Sequence, residues 1–217
     1  MKKPTGDAYH HGDLRRALLE AALALIEQGG IEGLSLRAVA RKAGVSHNAP
    51  YHHFPDRAGL LAAIAEEGFA QLAREIAAAR AAAPAPRARM QACGLAYIRF
   101  ALGSPARFKL MFRPELAPTA TDGAANRAAA ATLETLRGAI VEGQAAGLAP
   151  AGDPLPLVLT SWAAAHGLAA LWLDGPLRRA PLFAGLSGDA LAARLTSTLA
   201  GLMIDAAVSG PKKRRRA

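Results

Sequence analysis

Within eight residues, Ser46-His47-Asn48-Ala49-Pro50-Tyr51-His52-His53, the chain collects one amide, three imidazoles and a phenol. An asparagine amide can pair with N6 and N7 of adenine, while histidine and tyrosine can donate to phosphate oxygens or base acceptors. These groups suit nucleic-acid reading. Metal binding is the rival chemistry for His47, His52 and His53. His47 and His52 are five apart rather than the four that puts two ligands on one helix face, and the segment holds no carboxylate or cysteine, so no metal site is expected. No nucleophile with a paired base, carboxylate cluster or glycine-rich phosphate loop is visible either, so no catalytic residue is assigned and the chain is not expected to be an enzyme.

The elements around this segment explain how it would be presented. Leu36, Val39, Ala40 and Ala43 recur at three- and four-residue steps, giving an apolar helix face with Arg37, Arg41 and Lys42 off it. Ser35 is its cap, Gly44 its left-handed stop, and Ser46 is expected to cap the next helix. This is the grammar of a helix-turn-helix, with the small Ala40 allowing a close crossing. Pro50 cannot donate back to the Ser46 carbonyl, so a short or distorted helix is expected there. Upstream, Asp13 is expected to cap a helix carrying Leu14, Leu18, Ala21, Ala22 and Leu25, which Gly29-Gly30 ends. Downstream, Phe54 reads as core, and Pro55-Asp56 restart the chain as a long helix through Leu60, Leu61, Ile64, Leu72 and Ile76 to about Arg80.

Composition bounds the rest. The net charge is +9, but residues 1–80 are nearly balanced and five cations sit in the tail Lys212–Arg216. The case for DNA therefore rests on local arrangement and not on the sum. The tail looks like a nuclear-import signal, or like a solvated segment that adds nonspecific DNA affinity. Cys93 is the only cysteine, which excludes an intrachain disulfide and a cysteine-rich zinc site. No apolar segment follows the basic start, and no run of about 18 apolar residues free of charge is expected, so the reading is of a cytoplasmic protein without a membrane partner.

Beyond Pro84-Ala-Pro86 the chain reads as helices only, over about 87–103, 105–113, 122–146, 154–174 and 187–209, with Asp122, Asp153 and Ser187 as caps. The fold class is all-α, with about nine helices. The organisation is an N-terminal arm (1–12), a three-helix DNA-binding domain (13–57), a linking helix (58–80), a C-terminal domain (81–210) and the basic tail (211–217). The arm can reach phosphates or the minor groove, or be a disordered terminus.

Leu36-Arg-Ala-Val-Ala, Ala43-Gly-Val-Ser and Tyr51-His-His-Phe-Pro-Asp-Arg, followed by Leu60-Leu61, resemble the N-terminal signature of the TetR family of bacterial transcriptional regulators. The resemblance implies a homodimer that binds double-stranded operator DNA, with C-terminal helices that bind a small-molecule effector and form the dimer interface. By position it makes Arg37, Ser46, His47, Asn48, Tyr51 and His52 DNA contacts. Arg57, where the family usually has lysine, becomes a phosphate contact; Ala58-Gly59 replace the usual acidic residues that follow. Ser104–Phe112, the Trp162…His166-Gly167 pattern and the Tyr9-His-His-Gly12 arm resemble a subgroup named for a Trp-His-Gly signature.

His166 on an apolar helix, with Trp162, Tyr97, Phe100, Met111 and Phe112, reads either as core or as the polar and aromatic lining of an effector pocket. The apolar stretches Leu155–Leu173 and Leu191–Val208 are the expected four-helix dimer interface. The implied function is a repressor released from a pseudo-palindromic operator by an inducer. A nonspecific DNA-coating protein and a helical-bundle metal protein or enzyme are the alternatives.

Overall fold

The computed structural model describes residues 11–113, 115 and 123–209. The N-terminal arm through His10, the cap assigned to Asp122 and the basic tail lie outside the described residues. The described chain is all-α. Its order is α1 (His11–Gly29), α2 (Leu36–Ala43), a 3₁₀ turn (Ala49–His52), α3 (Arg57–Ala82), α4 (Pro86–Gly103), α5 (Pro105–Met111), α6 (Ala124–Ala145), α7 (Leu155–Leu173), α8 (Pro176–Arg179), a second 3₁₀ turn (Pro181–Phe183) and α9 (Gly188–Ser209).

The chain forms two compact units. One comprises the chain through Gly68 with the segment that begins at Ala106, and the other Phe69–Pro105 with the chain from Ala120 onward. The boundary thus falls inside α3, and α5 groups with the first unit and not with the C-terminal helices as expected. Gly68 shows how closely α5 sits against α3: a Cβ there would lie 2.6 Å from Met111 Sδ, so any larger residue would have to displace the Met111 side chain.

In the first unit the core is Leu18, Leu19, Ala22, Leu34, Leu36, Val39, Phe54, Leu60, Leu61 and Ile64 from α1 to α3, with Phe108 and Leu110 from α5, all buried. α1 begins at His11, so Asp13 lies within the helix and is not its cap. Ser35 caps α2 by accepting Ala38 N–H at 3.2 Å. Gly44 ends it at φ +70°, with Gly44 N–H donating to Arg41 and Val45 N–H to Ala40. That pairing is a Schellman stop, and the left-handed residue it requires is the reason for glycine. At Asp56 the carboxylate accepts Gly59 N–H at 2.7 Å, which starts α3.

In the second unit α4 packs against α6, α7 and α9. Gly94 of α4 meets α9 so closely that a Cβ would lie 2.9 Å from Thr196 Cγ2. Ser187 Oγ accepts Ala190 N–H at 3.1 Å and caps α9 as expected, whereas the cap position of α7 falls on Pro154, and Asp153, one residue earlier, accepts Leu155 N–H at 2.9 Å. α8 and the 3₁₀ turn after it were not anticipated; Pro176 and Pro181 at their first positions supply the φ these single turns need. The expectation of no long charge-free apolar run is corrected by α7, whose 19 residues include no Asp, Glu, Lys or Arg. Both α7 and α9 are long and apolar enough to cross a membrane by length and composition alone, and most of each is not buried within one chain.

Candidate nucleic-acid interface and apolar cavity

The segment with the unusual composition folds as one 3₁₀ turn and not as an α-helix. Pro50 is its anchor. The proline ring is fully buried, and its carbonyl accepts both His53 N–H (3.0 Å) and Phe54 N–H (2.9 Å). Phe54 follows immediately and is 2% exposed, with the Arg15 guanidinium 5.7 Å from its ring centroid. Arg15 is held in turn by an ion pair with Glu67. The expected cap moves: Ser46 gives its carbonyl to Ala49 N–H at 3.0 Å, and the cap position falls on Asn48, whose side chain makes no capping bond.

The same anchoring turns the polar side chains outward. Ser46, His47, Asn48, Tyr51 and His52 are exposed, as are Arg37, Arg41 and Lys42 on α2. Tyr51, 49% exposed, is a large aromatic with no core role. Residues three apart eclipse in a 3₁₀ turn, so Asn48 and Tyr51 share one edge. An amide and a phenol on one edge, beside three cations, can read base acceptors and hold phosphates.

Arg57, expected as a phosphate contact, has a partner within the chain. Its Nη2 donates to the Ile31 carbonyl at 2.6 Å, tying the α1–α2 connection to the first turn of α3, and its Nε is buried without a hydrogen-bond partner. A cation at a helix N-terminus is disfavoured by the helix dipole, and bonding a carbonyl offsets that. The arginine therefore positions the turn in the DNA-free chain.

In the second unit a cavity of about 40 Å³ opens among α3, α4, α6, α7 and α9, with Ile76, Met90, Cys93, Tyr97, Ile140 and Trp162 in its wall. Its lining is overwhelmingly apolar, and in this conformation it has room for only a few waters. Tyr97 Oη accepts Trp162 Nε1–H at 3.3 Å and lies 2.8 Å from His166 Nδ1. The phenol can donate to Nδ1 or accept from it according to the His166 tautomer, and a neutral imidazole serves in either case. Burial acts in the same direction, lowering the His166 pKa and raising that of Tyr97. Burial also pushes the Cys93 thiol up to about 11.

Of the six pocket residues expected from sequence, Tyr97 and Trp162 line the cavity, and His166 is joined to them through Tyr97 Oη without lining it. Phe100 is buried but does not line the cavity, and Met111 and Phe112 belong to the first unit, where the Phe112 ring lies 5.1 Å from that of Phe108. Sequence reasoning missed Met90, Cys93 and Ile140. For the two on α4 the signal available was the three- and four-residue steps from Met90 through Cys93 to Tyr97, which stack three side chains on one face.

The neutral state of His166 gives a testable pH dependence. A histidine whose folded pKa is depressed binds fewer protons than in the unfolded chain, so its contribution to stability is full above about pH 6.5 and is lost as pH falls from there through the folded value. Thermal melts between pH 8 and 5 should show this loss in the wild type. His166→Gln, which keeps a hydrogen-bonding group beside Tyr97 but does not titrate, should flatten it; an unchanged difference curve would show that another group carries the loss.

Among the described residues no three His, Cys, Asp or Glu side chains come together as a metal site. Residues 18–64 match the sequence profile described as bacterial regulatory proteins, tetR family, and residues 90–201 match the tetracyclin repressor-like C-terminal domain. An HTH-type transcriptional regulator BetI from Burkholderia thailandensis is 40% identical over 82 residues. That match spans 37% of this chain and 42% of the relative. A solved structure of a protein with unknown function from Rhodococcus sp. RHA1 is 37% identical, covering 92% of this chain and 100% of that one at a TM-score of 0.77. A bacterial regulatory protein in the tetR family from Rhodococcus RHA1 shares 20% identity over 88% of this chain and 96% of its own at a TM-score of 0.66, a likeness of fold.

Proposed function

The chain belongs to the TetR family of bacterial regulatory proteins, and we propose from that premise that it is a cytoplasmic, homodimeric transcription regulator that binds operator DNA and responds to a small-molecule effector. The supporting observation is the outward row Ser46, His47, Asn48, Tyr51 and His52 on a turn whose Pro50 and Phe54 are buried. Arg37, Arg41 and Lys42 supply the phosphate contacts in this reading, and the basic tail adds affinity without sequence preference. Repression is the expected sense of regulation. Effector binding in the second unit would favour the form whose two reading turns are misspaced for successive major grooves. The Trp-His-Gly subgroup is a finer proposal, resting on Trp162 and His166.

Binding of operator and random duplexes by fluorescence anisotropy, across a salt series, tests this. Arg37→Ala should weaken both duplexes alike and reduce the salt slope by about 1. Asn48→Ala should cost about 1–3 kcal/mol on the operator and leave the random duplex nearly unchanged. Equal affinity of the wild type for both duplexes at physiological salt would remove the regulator reading in favour of nonspecific coating.

A further inference from the structure

On helices that also wall the apolar cavity lies a charged cluster that the regulator reading does not use. Glu142 of α6 accepts from Arg80 Nη2 at 2.7 Å and from Arg89 Nη1 at 3.0 Å, so one carboxylate holds two guanidiniums. Both arginines are held in place. Arg89 Nε donates to the Ala83 carbonyl at 3.1 Å, and Arg80 lies so close over Gly138 that a Cβ there would sit 3.0 Å from its Nη2. A space of about 250 Å³ opens beside them, bounded also by Ala77, Ala81 and Thr135.

This cluster and the cavity use neighbouring positions of the same three helices. On α3 they are Ala77 and Arg80 against Ile76; on α6, Thr135 and Glu142 against Leu136 and Ile140; on α4, Arg89 against Met90 and Cys93. Cys93, in the cavity wall, is close enough to feel the charges of both Arg80 and Glu142. Along α4 the order is therefore guanidinium, apolar wall, then the Tyr97–His166–Trp162 hydrogen bonds. Arg89 and Tyr97 are eight residues apart, a rise of about 12 Å along the helix.

We propose that the effector is an amphipathic carboxylate: its apolar body enters the cavity, and its carboxylate displaces Glu142 from Arg80 and Arg89. Two guanidiniums against one carboxylate leave the cluster with a net positive charge, and planar guanidinium forks suit a carboxylate ligand. The enclosed volume of about 40 Å³ means that the body must part the walls. Met90 and Met203 line it, and both are side chains that repack readily. This inference rests on the effector-pocket reading above.

Calorimetric titration of the full chain with decanoate and with decanol, which share the body and differ in the head, tests it. Wild type should bind decanoate at least about tenfold more tightly than decanol. Arg89→Gln should lower decanoate affinity about tenfold and leave decanol unchanged. Glu142→Gln, which removes the competing carboxylate, should raise decanoate affinity about tenfold. A purely structural ion-pair cluster predicts no such gain. Equal binding of the two probes by wild type, no binding of decanoate, or no gain in Glu142→Gln overturns the proposal. Should Arg89→Gln fail to fold, judged by its melt, the wild-type and Glu142→Gln titrations still decide. Operator anisotropy on the same preparation without decanoate separates the two readings: sequence-preferring DNA binding with failed titrations leaves the regulator standing and removes only the carboxylate.

Discussion

Phe54→Ala is expected to cost the first unit about 3–5 kcal/mol, a large part of the stability of a small domain. Phe54 is 2% exposed, its N–H closes the 3₁₀ turn on Pro50, and Arg15 rests over its ring. Alanine leaves a cavity beneath the turn and removes the surface on which the Arg15 guanidinium lies. The turn itself has too few backbone bonds to hold its shape unaided. Hydrogen exchange should report the loss directly, with amides of α1 and α2 exchanging about two to four orders of magnitude faster and those of α4 unchanged. Operator binding should fall with it, although Phe54 offers no group that could touch DNA. Unchanged protection in α1 and α2 would show that the turn stands without its aromatic plug.

The second large effect concerns association. Leu155, Leu159 and Leu171 of α7 are 49–55% exposed, and Leu202 and Val208 of α9 are 59% and 76% exposed. Helices this apolar, left uncovered by their own chain, suit burial against a second copy. Leu159→Glu combined with Leu202→Glu would bring four unpaired carboxylates into a two-fold interface. Desolvating them without partners should raise the dimer dissociation constant by more than about 100-fold. Sedimentation velocity should then find a monomer at concentrations where wild type is a dimer, and operator affinity should drop because half-site spacing is set by the dimer. A variant that sediments as a dimer at low micromolar concentration would refute this assignment of the interface.

What the sequence made legible was local chemistry. Ser35, Gly44, Asp56, Asp153 and Ser187 act on backbone groups within a few residues of themselves, so residue type and position were enough to assign them. Pro50 was legible as an obstacle; that it becomes the anchor depends on burial, which the local pattern does not carry. Arg57 needed a partner 26 residues away, and Glu142 is 62 and 53 residues from its two arginines, separations at which spacing has no predictive content. Met111 and Phe112 read as core or as pocket lining because apolar and aromatic side chains suit either. Gly68 makes room for Met111 in the first unit, and one glycine in a long helix gives no hint of that. The candidate reading residues stood out because an amide, three imidazoles and a phenol in eight residues do not suit a core.

Cys93 carries a practical consequence. It is the chain's only thiol, 2% exposed, set in the cavity wall and, with its pKa near 11, almost wholly protonated at neutral pH. A thiol reagent can react with it only while the walls part and the sulfur meets water. The labelling rate is then a clock for how often the cavity opens, read on the unmodified chain without any added fluorophore, and any molecule seated inside should stop that clock.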